Sequence, residues 1–316
     1  MKNQTLKKIH KIFNYIFHQK RYYKNIEVQG QFADFTARLV VDRMGINCEK
    51  GKIACFNTNS IPTILHYHRA PIKLYCTQEN THVPYSTWHQ FENIWEKEPS
   101  LSLTLGFDYV KHPRYLRFPY WIEHIFGPMA TKESIAEFVA KYNYSDTANR
   151  TKQCAFVCHY DYFGDRAVLA DLVAQIMPIN YPSNFRHNDD DMRGKYEDDK
   201  IAYLQQFRFN LCPENSNNKG YVTEKIFDAI KAGCVPIYWG NEGYPEPDIL
   251  NPRAIVCLDK DNQEEGYALL QRLYYDSKAY AEFASQPRFL PDAGERIYGY
   301  YEQIVERLRE VLSSIK

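Results

Sequence analysis

Short apolar runs recur along this chain between polar, turn-rich stretches and longer segments with helical spacing, the alternation that builds parallel α/β sheets. In the first half, residues 52–58, 72–76 and 101–107 read as strands and residues 131–142 as a helix, with polar or proline-bearing segments between them. Residues 143–152 read as a linker. Beyond it, residues 154–159 open a second series, which continues through a helix at 166–176, a strand at 209–212, a helix at 222–232 and strands at 235–239 and 254–258. Val222, Ile226, Ala229 and Ile230 make the buried stripe of the helix at 222–232, and Gly233 supplies its stop. Over residues 294–315, Ile297, Tyr301, Ile304, Val305, Leu308, Val311, Leu312 and Ile315 draw a long amphipathic stripe, a packing helix whose return to the first domain is left open. The pattern predicts an α/β protein of two domains, 1–148 and 149–316, the second carrying the C-terminal amphipathic helix.

Candidate chemistry gathers in residues 209–240, where strand, polar loop, helix and strand succeed one another as a βαβ unit. Glu214, Asn215, Tyr221, Glu224 and Lys225 fall at the mouth between the first strand and the helix, the place where open α/β sheets bind ligands. Tyr221, Glu224 and Lys225 are spaced i, i+3, i+4, so a helix beginning at 222 would gather them on one face of its first turn, beside amides without helical partners. Such an end attracts anions: a lysine holds a phosphate, a carboxylate accepts from ribose hydroxyls, and a ring packs on a base or sugar. The plain alternative is a solvated Glu-Lys pair on a surface helix.

Three blocks carry a resemblance: Phe209-Asn210-Leu211-Cys212-Pro213-Glu214-Asn215, Tyr221-Val222-Thr223-Glu224-Lys225 and Pro236-Ile237-Tyr238-Trp239-Gly240. In this order they closely resemble the donor-binding signature of the bacterial α-1,3-fucosyltransferases. Upstream, residues 73–80 look like that family's strand ending in a G-E-N turn, with Gln78 where many relatives have glycine, and residues 105–109 with 114–117 look like a second block. The resemblance implies two facing Rossmann-like domains (GT-B type) and transfer of L-fucose from GDP-fucose, with inversion, to an oligosaccharide hydroxyl, O3 of GlcNAc or glucose. It further implies Glu79 as general base, and Asn215, Tyr221, Glu224 and Lys225 as GDP-fucose contacts. Arg166, opening a helix after a strand and loop, matches the arginine that meets the donor phosphates. The residue types suit the chemistry: inversion needs one base for the acceptor proton, and a departing GDP needs cations such as Arg166 and Lys225.

Composition removes other classes. The 39 basic residues balance 39 acidic ones, which gives no case for nucleic-acid binding, and no G-x-G-x-x-G follows a strand, which disfavours a dinucleotide oxidoreductase. Residues 1–24 depart from this balance, with seven Lys or Arg, no acid, and Ile9, Ile12, Phe13, Ile16 and Phe17 at helical spacing. They read either as a basic amphipathic helix on an anionic membrane surface or as a helix capping the first domain. No stretch has the length of a membrane-spanning helix or the form of a signal peptide, so the expectation is a cytoplasmic protein, peripheral at the inner face of a membrane or free of it. The eight cysteines are expected as free thiols in core strands. His66 and His68 share a strand-like spacing without a third ligand nearby. Asp189-Asp190-Asp191 contains the D-x-D pattern of metal-dependent transferases, but it lies in a polar, mixed-charge stretch read as a solvated loop. No obligatory metal is expected, Mn²⁺ or Mg²⁺ being at most stimulatory. Trp88, Trp95, Tyr120 and Trp121 are either core or lining for a glycan cleft, and the loop at 81–98 is expected to shape acceptor choice. Two other functions stay open: a transferase of the same build using another nucleotide-linked deoxysugar, and a catalytically silent glycan- or nucleotide-binding protein.

Overall fold

The computed structural model describes residues 21–30, 33–145, 150–259 and 264–313. Most of the basic segment 1–24 lies outside them. The chain divides into two units, one formed by the residues up to Ala130 together with those from Gly299 onward, the other by Thr131–Tyr298. This differs from the expected division at 148/149 with the terminal helix in the second domain. The helix Lys132–Tyr142, capped by reciprocal bonds between Thr131 and Ser134, belongs to the second unit. The helix Ala293–Leu312 carries its last two thirds in the first unit. There Tyr301 donates to Gly127 O at 2.6 Å, meets Phe118 edge-on at 5.5 Å and lies under the Arg43 guanidinium.

The first unit is built on a six-stranded sheet: β1 (Tyr22–Tyr23), β2 (Ile26–Gln29), β3 (Ile53–Asn57), β4 (Ile72–Cys76), β5 (Leu103–Gly106) and β6 (Tyr115–Arg117), lying side by side in chain order. Only β1 runs antiparallel. β3, β4 and β5 are buried along their whole length, as strands covered on both faces must be, and hence read as near-continuous apolar runs. Lys73 is the exception inside β4. Its ammonium donates to Leu65 O, His66 O and Ser100 Oγ, tying the strand to the last turn of the helix Pro62–Tyr67. His66 and His68 therefore sit at a helix end, not on a strand, and pair with Glu98 (2.7 Å) and Glu27 (3.2 Å).

The second unit has five parallel strands, β7 (Lys152–Ala155), β8 (Ile179–Asn180), β9 (Phe207–Leu211), β10 (Val235–Tyr238) and β11 (Val256–Cys257), in the order β11-β10-β9-β7-β8. From β7 the chain winds outward to β8, then returns to β9 and winds the other way. The switch point therefore lies between the carboxyl ends of β7 and β9. Asn210 stitches this pair through Nδ2 to Ala155 O at 2.9 Å. Cys154, Phe156 and Cys158 join one apolar cluster with Leu169, Leu211 and Ile237, so the cysteines pack as free thiols. Gly233 ends the helix Glu224–Lys231 with φ +73°, the left-handed stop expected of it.

Candidate functional site

The switch point carries a buried hub. Glu214, three residues past β9, is fully buried and accepts from the Thr223 amide (2.7 Å), the Thr223 hydroxyl (2.7 Å), Lys225 Nζ (3.2 Å) and, at longer range, the Tyr238 hydroxyl (3.4 Å). Thr223 is the N-cap residue of the helix Glu224–Lys231 but caps nothing with its own side chain; the Glu214 carboxylate, coming from the neighbouring strand, takes its N–H instead. Gly240, after β10, makes room for this carboxylate. A Cβ there would lie 2.8 Å from Glu214 Cγ and 2.8 Å from the Tyr238 hydroxyl, and φ is +145°.

Two cations stand over the hub. Burial pulls the Lys225 ammonium down, but the Glu214 and Glu224 carboxylates outweigh that, so the net shift is upward and the charge is held. Arg166 lies in the first turn of the helix Asp165–Ala174, which comes after β7. Its guanidinium donates to Tyr160 O (2.8 Å), Glu214 O (3.3 Å) and the Asn215 side-chain oxygen. Asp161 shapes the loop by accepting from the Gly164 and Ala167 amides at 3.0 and 2.8 Å, with Gly164 at φ +83°. The structure thus brings Arg166, Asn215, Glu224 and Lys225 to one sheet edge around Glu214. These are two fixed positive groups beside two helix N-termini, an arrangement suited to phosphate oxygens.

Tyr221 departs from the expected face. Thr223 is extended, the helix begins at Glu224, and Gly220 and Tyr221 form the turn before it. The i, i+3, i+4 argument fails for Tyr221, and its ring is 2% exposed, packed within the unit. The rings that are exposed beside Arg166 are Tyr160, Tyr162 and Phe163, with Tyr160 and Tyr162 stacked at 5.7 Å. In the sequence they were legible only as an aromatic run in a polar loop.

Asp189 and Asp191 are engaged by Lys152, at 3.2 and 2.8 Å. Asp189 also accepts from Asn180, Tyr203 and the Asp191 amide. Of the D-x-D run, Asp189 is buried and braces the foot of β7, where the sequence suggested a solvated loop; Asp190, paired with His187, and Asp191 keep the exposure expected of them.

In the first unit, Glu79 sits in the turn after β4, partly exposed at the carboxyl edge of the sheet. Of the neighbouring groups at this edge, only Gln78 stands out in the sequence, as a departure from glycine; His82, Asp108 and Glu123 carry no local signal. His82 pairs with Asp108 at 2.6 Å, and that bond raises the imidazole. Gln78 lies between Asn57 (2.8 Å) and Glu123 (2.6 Å). Of the four aromatic candidates, Trp95 and Trp121 are core, Trp95 packing on Tyr115, whereas Trp88 and Tyr120 keep partial exposure.

A parallel α/β unit with two cationic side chains at its switch point is the class this geometry defines. Within it, residues 147–287 match the family described as glycosyltransferase family 10 (fucosyltransferase), C-terminal part. The α-(1,3)-fucosyltransferase FucT of Helicobacter pylori is 38% identical over 84 residues, 26% of this chain and 17% of that protein. An α-(1,4)-fucosyltransferase of Arabidopsis thaliana is 33% identical over 90 residues, 28% of this chain and 22% of that one. The chain thus aligns with about a fifth of the length of these relatives. The fold matches the crystal structure of an α1,3-fucosyltransferase with a TM-score of 0.59 at 21% identity, over 91% of this chain and 93% of that one. It also matches one solved with GDP-fucose, with a TM-score of 0.53 at 22% identity over 81% and 78%. Among the described residues no helix is long and apolar enough to cross a membrane.

Proposed function

We propose that this protein is an inverting fucosyltransferase that moves L-fucose from GDP-fucose to an oligosaccharide hydroxyl, O3 of GlcNAc or glucose. The observation that carries the reading is the Arg166–Asn215–Glu214–Lys225 cluster at the switch point, inside the region that matches the family. Its guanidinium is fixed by two carbonyls and an amide, and its ammonium by a buried carboxylate. Both are therefore preorganised for a diphosphate that gains negative charge as it departs. Glu224, at the first position of its helix, is assigned to the ribose hydroxyls, and Asn215 to the donor beside Arg166. Tyr160 and Tyr162 offer ring surface for the base, which the buried Tyr221 does not.

Glu79 is assigned the acceptor proton. The acceptor oxygen attacks the anomeric carbon on the face opposite GDP, and the C–O bond forms as the bond to the β-phosphate oxygen breaks. The electron pair leaves with GDP and the proton passes to the Glu79 carboxylate. Arg166 and Lys225 do the work a metal does elsewhere, and none is required in this scheme.

GDP release from purified protein tests the proposal, measured with GDP-fucose and lactose, N-acetyllactosamine or the galactosyl-β1,3 isomer, with EDTA or with Mn²⁺. Acceptor-dependent release that survives EDTA is expected. Saturable GDP binding without turnover on any acceptor would overturn the transferase reading in favour of a binding protein, and turnover with a different nucleotide-linked deoxysugar would overturn the choice of fucose.

A further inference from the structure

Behind the turn that carries Glu79 runs a chain of hydrogen bonds whose direction is fixed at one end. The Asn59 backbone N–H can only donate, and it donates to Asn57 Oδ1 at 2.9 Å. Asn57 must then present Nδ2, which donates to Gln78 Oε1 at 2.8 Å. Gln78 in turn presents Nε2, which donates to Glu123 Oε1 at 2.6 Å, while the Cys76 thiol donates to Glu123 Oε2 at 3.2 Å. Glu123 lies on the helix Tyr120–Phe126, over the buried Trp121 and Ile122. Its two oxygens thus receive both ends of the segment that leads out of β4, and Gln78 is the residue immediately before Glu79.

We propose that Glu123 is a positioning residue for Glu79: acting through Gln78, its carboxylate sets the turn from which the candidate base projects. This rests on the assignment of Glu79 made above. As arranged, Glu123 only accepts, the pattern of an ionised carboxylate. A protonated carboxyl brings an O–H that needs an acceptor, yet both neighbours are donating. Either the Gln78 amide turns over and gives up Asn57, or the thiol turns to accept; the first would move the turn. The groups around Glu123 favour such a change near neutrality. Burial pushes it up to about 7, against the downward pull of the Cys76 and Gln78 bonds, and the Asp34 carboxylate across the unit adds to the rise. Tyr301 faces it from the C-terminal helix with Arg43 beyond, and on its own helix His124 is bonded to Tyr120.

The test has two independent readouts on the full chain. In ¹⁵N spectra, the amides of residues 77–80 should shift with a midpoint near neutral pH, and Glu123→Gln should abolish that transition. In turnover with GDP-fucose and acceptor, Glu123→Ala should lower kcat about 10- to 100-fold with the donor KM kept, the scale of a misplaced reacting group. Glu123→Gln, which still offers Gln78 an oxygen, should restore kcat to within a few-fold and flatten the corresponding limb of the pH profile. Amides that do not titrate, or that titrate unchanged in Glu123→Gln, overturn the proposal whether or not the protein turns over. If Glu79→Gln keeps wild-type turnover, the base assignment fails instead, and the amide titration still decides the coupling of Glu123 to the turn.

Discussion

Glu214 should be the position in the second unit least tolerant of an isosteric change. Replacing it by glutamine keeps one oxygen for the Thr223 N–H but turns an NH₂ group toward a hydroxyl and an ammonium, and it removes the charge that balances Lys225. Breaking a buried ion pair from one side costs about 3–5 kcal/mol. Lys225 keeps its bond to Thr223 Oγ1 at 2.9 Å and lies 3.8 Å from Glu224 Oε1. These remaining partners bring the expected loss down to about 2–3 kcal/mol. Glu214→Leu also strands the Thr223 amide, which adds about 1–3 kcal/mol; against a domain stability of about 5–15 kcal/mol it should leave the unit close to unfolding. Trp239 is the only one of the four tryptophans in the second unit, so urea unfolding followed by ¹⁹F signals of 5-fluorotryptophan reads this unit apart from the other. The double variant Glu214→Gln/Lys225→Met should recover about 1–2 kcal/mol relative to Glu214→Gln alone, because it removes the unbalanced cation. A Glu214→Gln midpoint within about 0.5 kcal/mol of wild type, or a double variant no better than the single, would refute the hub and with it the preorganisation of Lys225.

The same geometry sets other expectations. Arg166→Lys cannot reproduce a fork held by Tyr160 O, Glu214 O and Asn215, and should weaken GDP binding about 10- to 100-fold by calorimetry; unchanged affinity would remove Arg166 from the donor site. Glu79→Ala should lower kcat by about 10² to 10⁴ with GDP affinity kept, and wild-type turnover would dismiss it as the base. Gly240→Ala forces a Cβ against Glu214 at φ +145° and should destabilise the second unit by about 2–3 kcal/mol in the same urea experiment, a neutral result showing that the loop yields. From about pH 4.5 to about 7 the folded protein keeps a proton on Glu123 that the unfolded chain has released, so the first unit should lose stability as pH rises through that window. The loss is at most about 3 kcal/mol, less for the partial exposure of the group, and Glu123→Gln should abolish it; a variant whose pH–stability curve runs parallel to wild type would count against a raised carboxyl.

What was legible in the sequence and what was not divide along sequence distance. β4 falls where its apolar run predicts it, and the helix Lys132–Tyr142 starts at the cap its Thr-x-x-Ser spacing allows, because both signals lie within a few residues. Val222 misled the reading of the next helix. It has the right period for a first turn, but the Glu214 carboxylate, arriving from another strand, holds Thr223 extended and delays the start by two residues, which removes Tyr221 from the face it was assigned. The same distance hid Glu123, which is 45 positions from Gln78 and stands in an aromatic helix with no turn signal beside it. It also hid the role of Lys152, whose partners Asp189 and Asp191 read as a solvated run. Groups offered to a ligand come from the ends of strands and helices, where punctuation by glycine, proline and asparagine marks them locally. Groups that hold those side chains in place come from whatever the sheet order brings alongside, and β9 meets β7 and β10 only through that order. Gln78 shows both kinds in one residue. It reads as an odd substitution in a G-E-N-like turn, and only the parallel pairing of β3 with β4 places Asn57 at the matching end, so that the extra side chain becomes a link between Asn57 and Glu123.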